Sequence, residues 1–111
     1  MARLNYLELP VGDLAGSSSF FERAFGLKLQ AYGPTYAATD GEHADIGLQA
    51  DPAKHSAAPL PVLEVADVDA AARAVEAAGG TITVPVFTFP GGRRFHFREP
   101  SGNELAAWER G

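Results

Sequence analysis

From Leu4 to Val11 apolar and polar side chains alternate, with Leu7, Leu9 and Val11 on one side and Tyr6, Glu8 and Pro10 on the other. A period of two is the mark of a strand with one buried face. The period then changes. Asp13 is a good N-cap, and Leu14, Phe21 and Phe25 recur at helical spacing, which predicts a helix over Leu14–Phe25 with one stripe lying on a sheet. Ser17–Ser19 reads as a small, solvated face of that helix, and Gly26 as its left-handed stop. Three short strands are expected next, at Leu27–Tyr32, Thr35–Thr39 and Ala44–Ala50, broken by Gly33-Pro34 and by the hairpin signal Asp40-Gly41. Ile46 and Leu48 join the helix-facing side, leaving Asp45, Gly47 and Gln49 on the other.

The same pattern is then repeated. Tyr6–Leu29 overlays Leu60–Thr83 without a gap, placing Val11-Gly12-Asp13-Leu14 on Val65-Ala66-Asp67-Val68, Glu22 on Glu76 and Gly26 on Gly80. A repeat of this kind is a supersecondary module that cannot bury its apolar face alone. In the second copy Leu63 and Val65 face the helix, while Leu60, Val62 and Glu64 face away. Asp67 caps a helix with Val68, Ala72, Val75 and Ala78 on its buried stripe, and Gly79-Gly80 ends it. Thr81–Val86 is rich in strand formers, and Pro90-Gly91-Gly92 makes a turn or mobile flap. Arg94–Arg98 alternates with Phe95 and Phe97 toward the helix, Glu99–Asn103 is a tight turn, and Glu104–Trp108 is the last strand. The sum is an α+β fold of two βαβββ modules, with helices on one face of a curved mixed sheet. One domain is expected: module one over 1–50, a linker over 51–59 containing a solvated His55, and module two over 60–111.

Composition narrows the chemistry. The chain has no cysteine, so disulfides, thiolate metal sites and cysteine nucleophiles are out. A net charge of -5 argues against nucleic acid and anionic membrane as partners. Neither a signal peptide nor a long apolar run is seen, which sets a cytoplasmic location as the expectation. No P-loop, dinucleotide-binding glycine pattern, Gly-x-Ser-x-Gly or His-Glu-x-x-His is present. Gly91-Gly92 before Arg93-Arg94 reads as a hairpin turn with charged shoulders rather than an anion site.

The duplicated βαβββ plan, the opening Leu9-Pro10-Val11-Gly12-Asp13-Leu14 with Phe20-Phe21 and Phe25-Gly26 behind it, and the closing Phe97–Asn103 together resemble the vicinal oxygen chelate superfamily. That group includes glyoxalases, extradiol dioxygenases, fosfomycin-resistance transferases and bleomycin-resistance binding proteins. The resemblance covers nearly the whole chain. It implies a sheet curled into a cup whose concave face holds a ligand, and a homodimer. In its metal-dependent members four concave positions carry His, Gln or Glu ligands, and they fall here on Tyr6, Gly47, Leu60 and Ala106. Three of those offer no side-chain donor and a tyrosine is protonated near neutral pH, so no metal and no other cofactor is expected.

The candidate ligand-binding residues are Tyr6, Glu8, Gln49, Glu64, His96, Glu104 and Trp108, all on strand faces opposite the apolar stripes, with Asp45, Arg94 and Arg98 beside them. The plainer alternative is that they coat the open side of an antiparallel sheet. Tyr6 and Trp108 serve either as a stacking wall over one cavity or as packing. Glu8, Glu64 and Glu104 either hold a cation or lie at a wet rim. His96 is either a general base or a neutral structural residue, His43 is a weaker candidate still, and no catalytic residue is assigned. The reading is a metal-free binding protein for a small aromatic or cationic compound. The alternatives are an enzyme of the same fold (a lyase, isomerase or dioxygenase with an atypical metal set or none) and a partner domain with a vestigial cavity.

Overall fold

The computed structural model describes residues 2–41 and 43–111. Its elements run β1 (Arg3–Pro10), α1 (Leu14–Phe25), β2 (Gln30–Ala31), β3 (Tyr36–Ala38), β4 (Asp45–Gln49), a short 3₁₀ turn at Pro52–Lys54, β5 (Leu60–Glu64), α2 (Val68–Ala77), β6 (Thr81–Phe89), β7 (Gly92–Arg98) and β8 (Glu104–Arg110). This is a mixed α+β chain in which βαβββ occurs twice. Among the described residues no helix is long and apolar enough to cross a membrane.

Two compact units divide the chain, an N-terminal one over Tyr6–Leu60 and a C-terminal one made of the chain up to Asn5 with Pro61–Gly111. In the N-terminal unit the strand order is β2-β3-β4-β1, with β1 parallel to β4 and the other pairs antiparallel. Helix α1 starts where Asp13 accepts a hydrogen bond from the Gly16 N–H at 3.1 Å. It stops at Gly26, whose φ of 69° suits a residue without Cβ, and the Leu27 N–H closes the last turn on the Phe21 carbonyl at 3.2 Å. The helix packs on β3 and β4. Its inward stripe is Leu14, Ser17, Ser18 and Phe21, all half-buried, whereas Phe25 is 68 % exposed. The expectation that Phe25 lies on the sheet and that Ser17 and Ser18 are solvated is corrected, while Ser19 is exposed as expected. Beneath α1 are strands of three and five residues, so the sheet ends before the helix does. Leu7, expected under the helix, is exposed as well. The strand expected over Leu27–Tyr32 shrinks to Gln30–Ala31. His55 is exposed as expected, yet its Nε2 lies 3.1 Å from the Val11 carbonyl.

The C-terminal unit has the strand order β5-β8-β7-β6 and a denser interior. Val68, Phe95, Phe97 and Ala107 form its buried core, with Leu63, Val65 and Val75 packed against them. Phe95 and Phe97 stack at 5.7 Å between ring centres. Asp67 caps α2 by accepting from the Asp69 and Ala70 N–H groups at 3.0 and 3.1 Å. The Val68 N–H, left over at the first turn, is taken by Glu109 of β8 at 2.8 Å. Ala78, expected on the buried stripe, is the exposed C-cap. The strand face away from α2 is not an open wet surface: Val62, His96 and Ala106 on it are buried.

Candidate functional site

In the N-terminal unit, parallel pairing sets Tyr6 beside Asp45 and Glu8 beside Gly47, while antiparallel pairing sets Tyr36 beside Gln49 and Ala38 beside Gly47. These positions share one face. Tyr36 donates its hydroxyl hydrogen to Glu8 Oε1 at 3.1 Å, and the Tyr6 and Tyr36 hydroxyls are themselves hydrogen-bonded. Because the Tyr36 hydrogen is spent on Glu8, Tyr6 is the donor in the second bond. Glu8 is 3 % exposed, so its hydrogen-bond partners come from within the chain. Gln49 and Asp45, two more candidates of this face, shape turns. Gln49 Oε1 accepts from the Asp51 N–H at 2.9 Å, and Asp45 accepts from Thr39 Oγ1 at 2.8 Å and from the Gly41 N–H at 2.6 Å. Tyr36 was not among the sequence candidates. The Asp40-Gly41 hairpin signal, read through to its pairing, would have found it.

In the C-terminal unit the site is built on β7 and its two neighbours. Arg94 faces Phe87 of β6 and Trp108 of β8, and His96 faces Val84 and Ala106. The Arg94 guanidinium lies 5.6 Å from the Phe87 ring centre and 5.9 Å from that of Phe89, within cation–π range. Phe89 in turn meets Trp108 at 6.2 Å. Arg94 donates to His96 Nε2 from Nε at 3.2 Å and from Nη2 at 2.9 Å. A guanidinium only donates, so Nε2 is the acceptor and the neutral ring carries its hydrogen on Nδ1. That nitrogen stands 4.0 Å from Glu104 Oε2, and Glu104 accepts from Thr83 Oγ1 at 2.8 Å. The imidazole lone pair a general base would use is therefore engaged by Arg94.

Trp108 donates its indole N–H to Asn5 at 3.4 Å and carries the Arg110 guanidinium over its ring at 4.8 Å. Asn5 and Arg110 also converge on Glu64, as does Arg3. A shallow cavity of about 300 Å³ opens there, lined by Arg3, Glu64, Val65 and Ala66. Its charged rim makes it a poor seat for an aromatic ring, unlike the face around Arg94. Phe87 and Phe89 were missed from sequence because β6 shifts register twice, between Ile82 and Val84 and between Val84 and Phe87, which resets the alternation around Pro85. Arg98 holds the following turn through the Gly102 carbonyl at 3.0 Å, and Arg93 forks onto Asp69 with two bonds of 3.0 Å, as a charged shoulder would.

Among the described residues, Glu64, Asp69 and Glu99 are held below their ordinary pKa. Burial alone would push Glu64 up, but Arg110, Asn5 and Arg3 outweigh it. The Arg93 hydrogen bonds depress Asp69, and the Ser101 and Asn103 N–H groups depress Glu99. A carboxylate depressed on folding adds stability that is present above its unfolded pKa and is lost as pH falls through its folded value. The thermal midpoint is expected to fall as pH drops below the ordinary values of 4.5 for Glu64 and Glu99 and 3.8 for Asp69. A midpoint series in Glu99→Gln should show a smaller drop; an identical one would rule the turn out as a contributor.

The positions that resemblance assigns to metal ligands fit no divalent ion. Leu60 and Ala106 are buried and apolar, Gly47 has no donor, and Tyr6 is hydrogen-bonded to Tyr36. Among the described residues no group of three or more His, Cys, Asp or Glu is placed to hold one.

Comparison with known proteins agrees on the fold. No curated protein is a significant sequence match. Methylmalonyl-CoA epimerase from Mycobacterium tuberculosis superposes with a TM-score of 0.79 at 17% identity, over 97% of this chain and 87% of that one. A glyoxalase/bleomycin resistance protein/dioxygenase superfamily member from Vibrio splendidus 12B01 gives 0.74 at 16% identity, covering 98% and 99%. The Mn(II)-bound glyoxalase from Novosphingobium aromaticivorans gives 0.70 at 21% identity, covering 98% of this chain and 40% of that one. At these identities the likeness is one of fold. The family model for the Glyoxalase/Bleomycin resistance protein/Dioxygenase superfamily matches residues 3–107, and with the duplicated βαβββ plan this makes the chain a member of that superfamily.

Proposed function

We propose that the chain is a small-molecule binding protein of the glyoxalase/bleomycin-resistance type, and that its ligand is a planar aromatic compound. The observation that carries the reading is the Arg94 guanidinium lying over the Phe87 and Phe89 rings, with Phe89 in turn meeting Trp108 on the same face of the sheet. Planar cation and rings together offer stacking surface with little side-chain freedom to lose on binding. A cationic ligand is supported less well, because each candidate carboxylate already has partners in the chain: Tyr36 for Glu8, Arg110 and Arg3 for Glu64, Thr83 for Glu104.

Trp108 is the only tryptophan, so its emission reports on this face alone. A panel of planar aromatic compounds and quaternary ammonium ions, titrated against that emission, is expected to show saturable change with aromatic members. Phe87 is 37 % exposed, so Phe87→Ala should leave the fold intact while weakening binding about fivefold, from the loss of roughly 1 kcal/mol of stacking. An emission that no compound moves, together with a Phe87→Ala variant that changes only stability, would sink the reading.

A further inference from the structure

The N-terminal unit carries a second consequence, which goes beyond ligand binding and does not depend on it. The strand position that the resemblance assigns to a metal ligand on β4 is Gly47, and the space a side chain there would need is taken. A Cβ on Gly47 would overlap both the Tyr6 and the Tyr36 hydroxyl oxygens and stand 2.6 Å from Tyr6 Cζ. Those oxygens are not loosely placed. Tyr6 donates to Tyr36, Tyr36 donates to Glu8, and Glu8 is buried. Both phenols thus spend their hydrogens inside the chain, and a phenol must lose its hydrogen before it binds a divalent ion well.

We infer that Tyr6 and Tyr36, anchored on Glu8, stand in the place of a metal ligand on this sheet, and that Gly47 is the residue that admits them. A hydrogen-bonded pair of phenols and an ion-ligating side chain at position 47 exclude one another by volume. The polar group presented by this face is then the phenol pair rather than a cation's open coordination position. Glycine at 47 follows from the tyrosines rather than from any turn, since the position lies inside a strand.

The test uses the purified full chain. After equilibration with Mn²⁺, Zn²⁺, Ni²⁺ or Fe³⁺ and removal of excess, elemental analysis is expected to find far less than one ion per chain. The thermal midpoint should be unmoved by the ions. Stoichiometric retention, or a visible tyrosinate charge-transfer band with Fe³⁺, overturns the inference. The steric half is tested separately by placing Gly47→Ala in two backgrounds, the native chain and Tyr6→Leu with Tyr36→Phe. Overpacking a filled site should lower the native midpoint by about 5 °C or more, and by less than half of that once the hydroxyls are gone. An equal loss in both backgrounds overturns it. If Gly47→Ala folds only in the substituted background, the interlock is supported. If it folds in neither, the retention assay on the native chain decides.

Discussion

Phe95→Ala is expected to lower the unfolding free energy by about 3–5 kcal/mol, the range for emptying a buried phenylalanine site. Phe95 is completely buried, and it belongs to the core that joins α2 to β7 and β8. Its loss would leave Phe97 without its ring partner and Val68 facing a void. Neither neighbour can collapse into the gap, because Val68 is held by the Glu109 hydrogen bond and Phe97 by the β7 ladder. Native domains have only about 5–15 kcal/mol of stability, so this one change should remove a large share of it. Urea unfolding followed by far-ultraviolet circular dichroism measures it. A cost below about 1 kcal/mol would mean that the core described here is not the one that holds the C-terminal unit.

The second large effect is expected at Gly92, the first residue of β7. Its φ is 150°, outside the usual range of residues bearing Cβ, and an added Cβ would overlap the Glu109 carbonyl and lie 2.8 Å from the Gly111 nitrogen. Gly92→Ala should therefore cost about 2–4 kcal/mol, from backbone strain and forced separation of β7 from β8. The consequence reaches the aromatic face as well. Gly92 pairs with Arg110 two steps before Arg94 meets Trp108, so displacing the first pair disturbs the second. Denaturant unfolding should show the loss of stability, and the emission maximum of Trp108 should shift before unfolding begins. A variant as stable as the native chain, with native emission, would show that the β7–β8 edge yields freely.

How much of this was legible in the sequence depends on how local each signal is. Asp13, Gly26 and Asp67 announce helix ends through atoms a few residues away, and both helices begin where those residues place them. The Glu99–Asn103 turn is equally local, with the Glu99 carboxylate accepting from Ser101 and Asn103. Strand faces were legible too: Phe95 and Phe97 lie toward α2, with Arg94 and His96 opposite. The candidate site was less so, because its members depend on pairing. Tyr36 reaches Glu8 only through the registers of β3 on β4 and of β4 on β1. Phe87 and Phe89 join Arg94 only after two register shifts that no alternation count contains. Phe25 was assigned to the sheet by a helical period that is correct, but the period says nothing about where the strands below it end.

Those same shifts in β6 have a bearing on self-association. β6 is the last strand of the C-terminal unit's order, with a partner on one side in β7. A long flat strand in such a position is a template for fibril growth by added chains. Here Pro85 removes one N–H from the row, and the irregular pairing between Ile82 and Phe87 breaks the spacing of the rest. The row of evenly spaced groups that an added chain would need is thereby interrupted, so the kinks that bring Phe87 and Phe89 to Arg94 also make this nine-residue strand a poorer template.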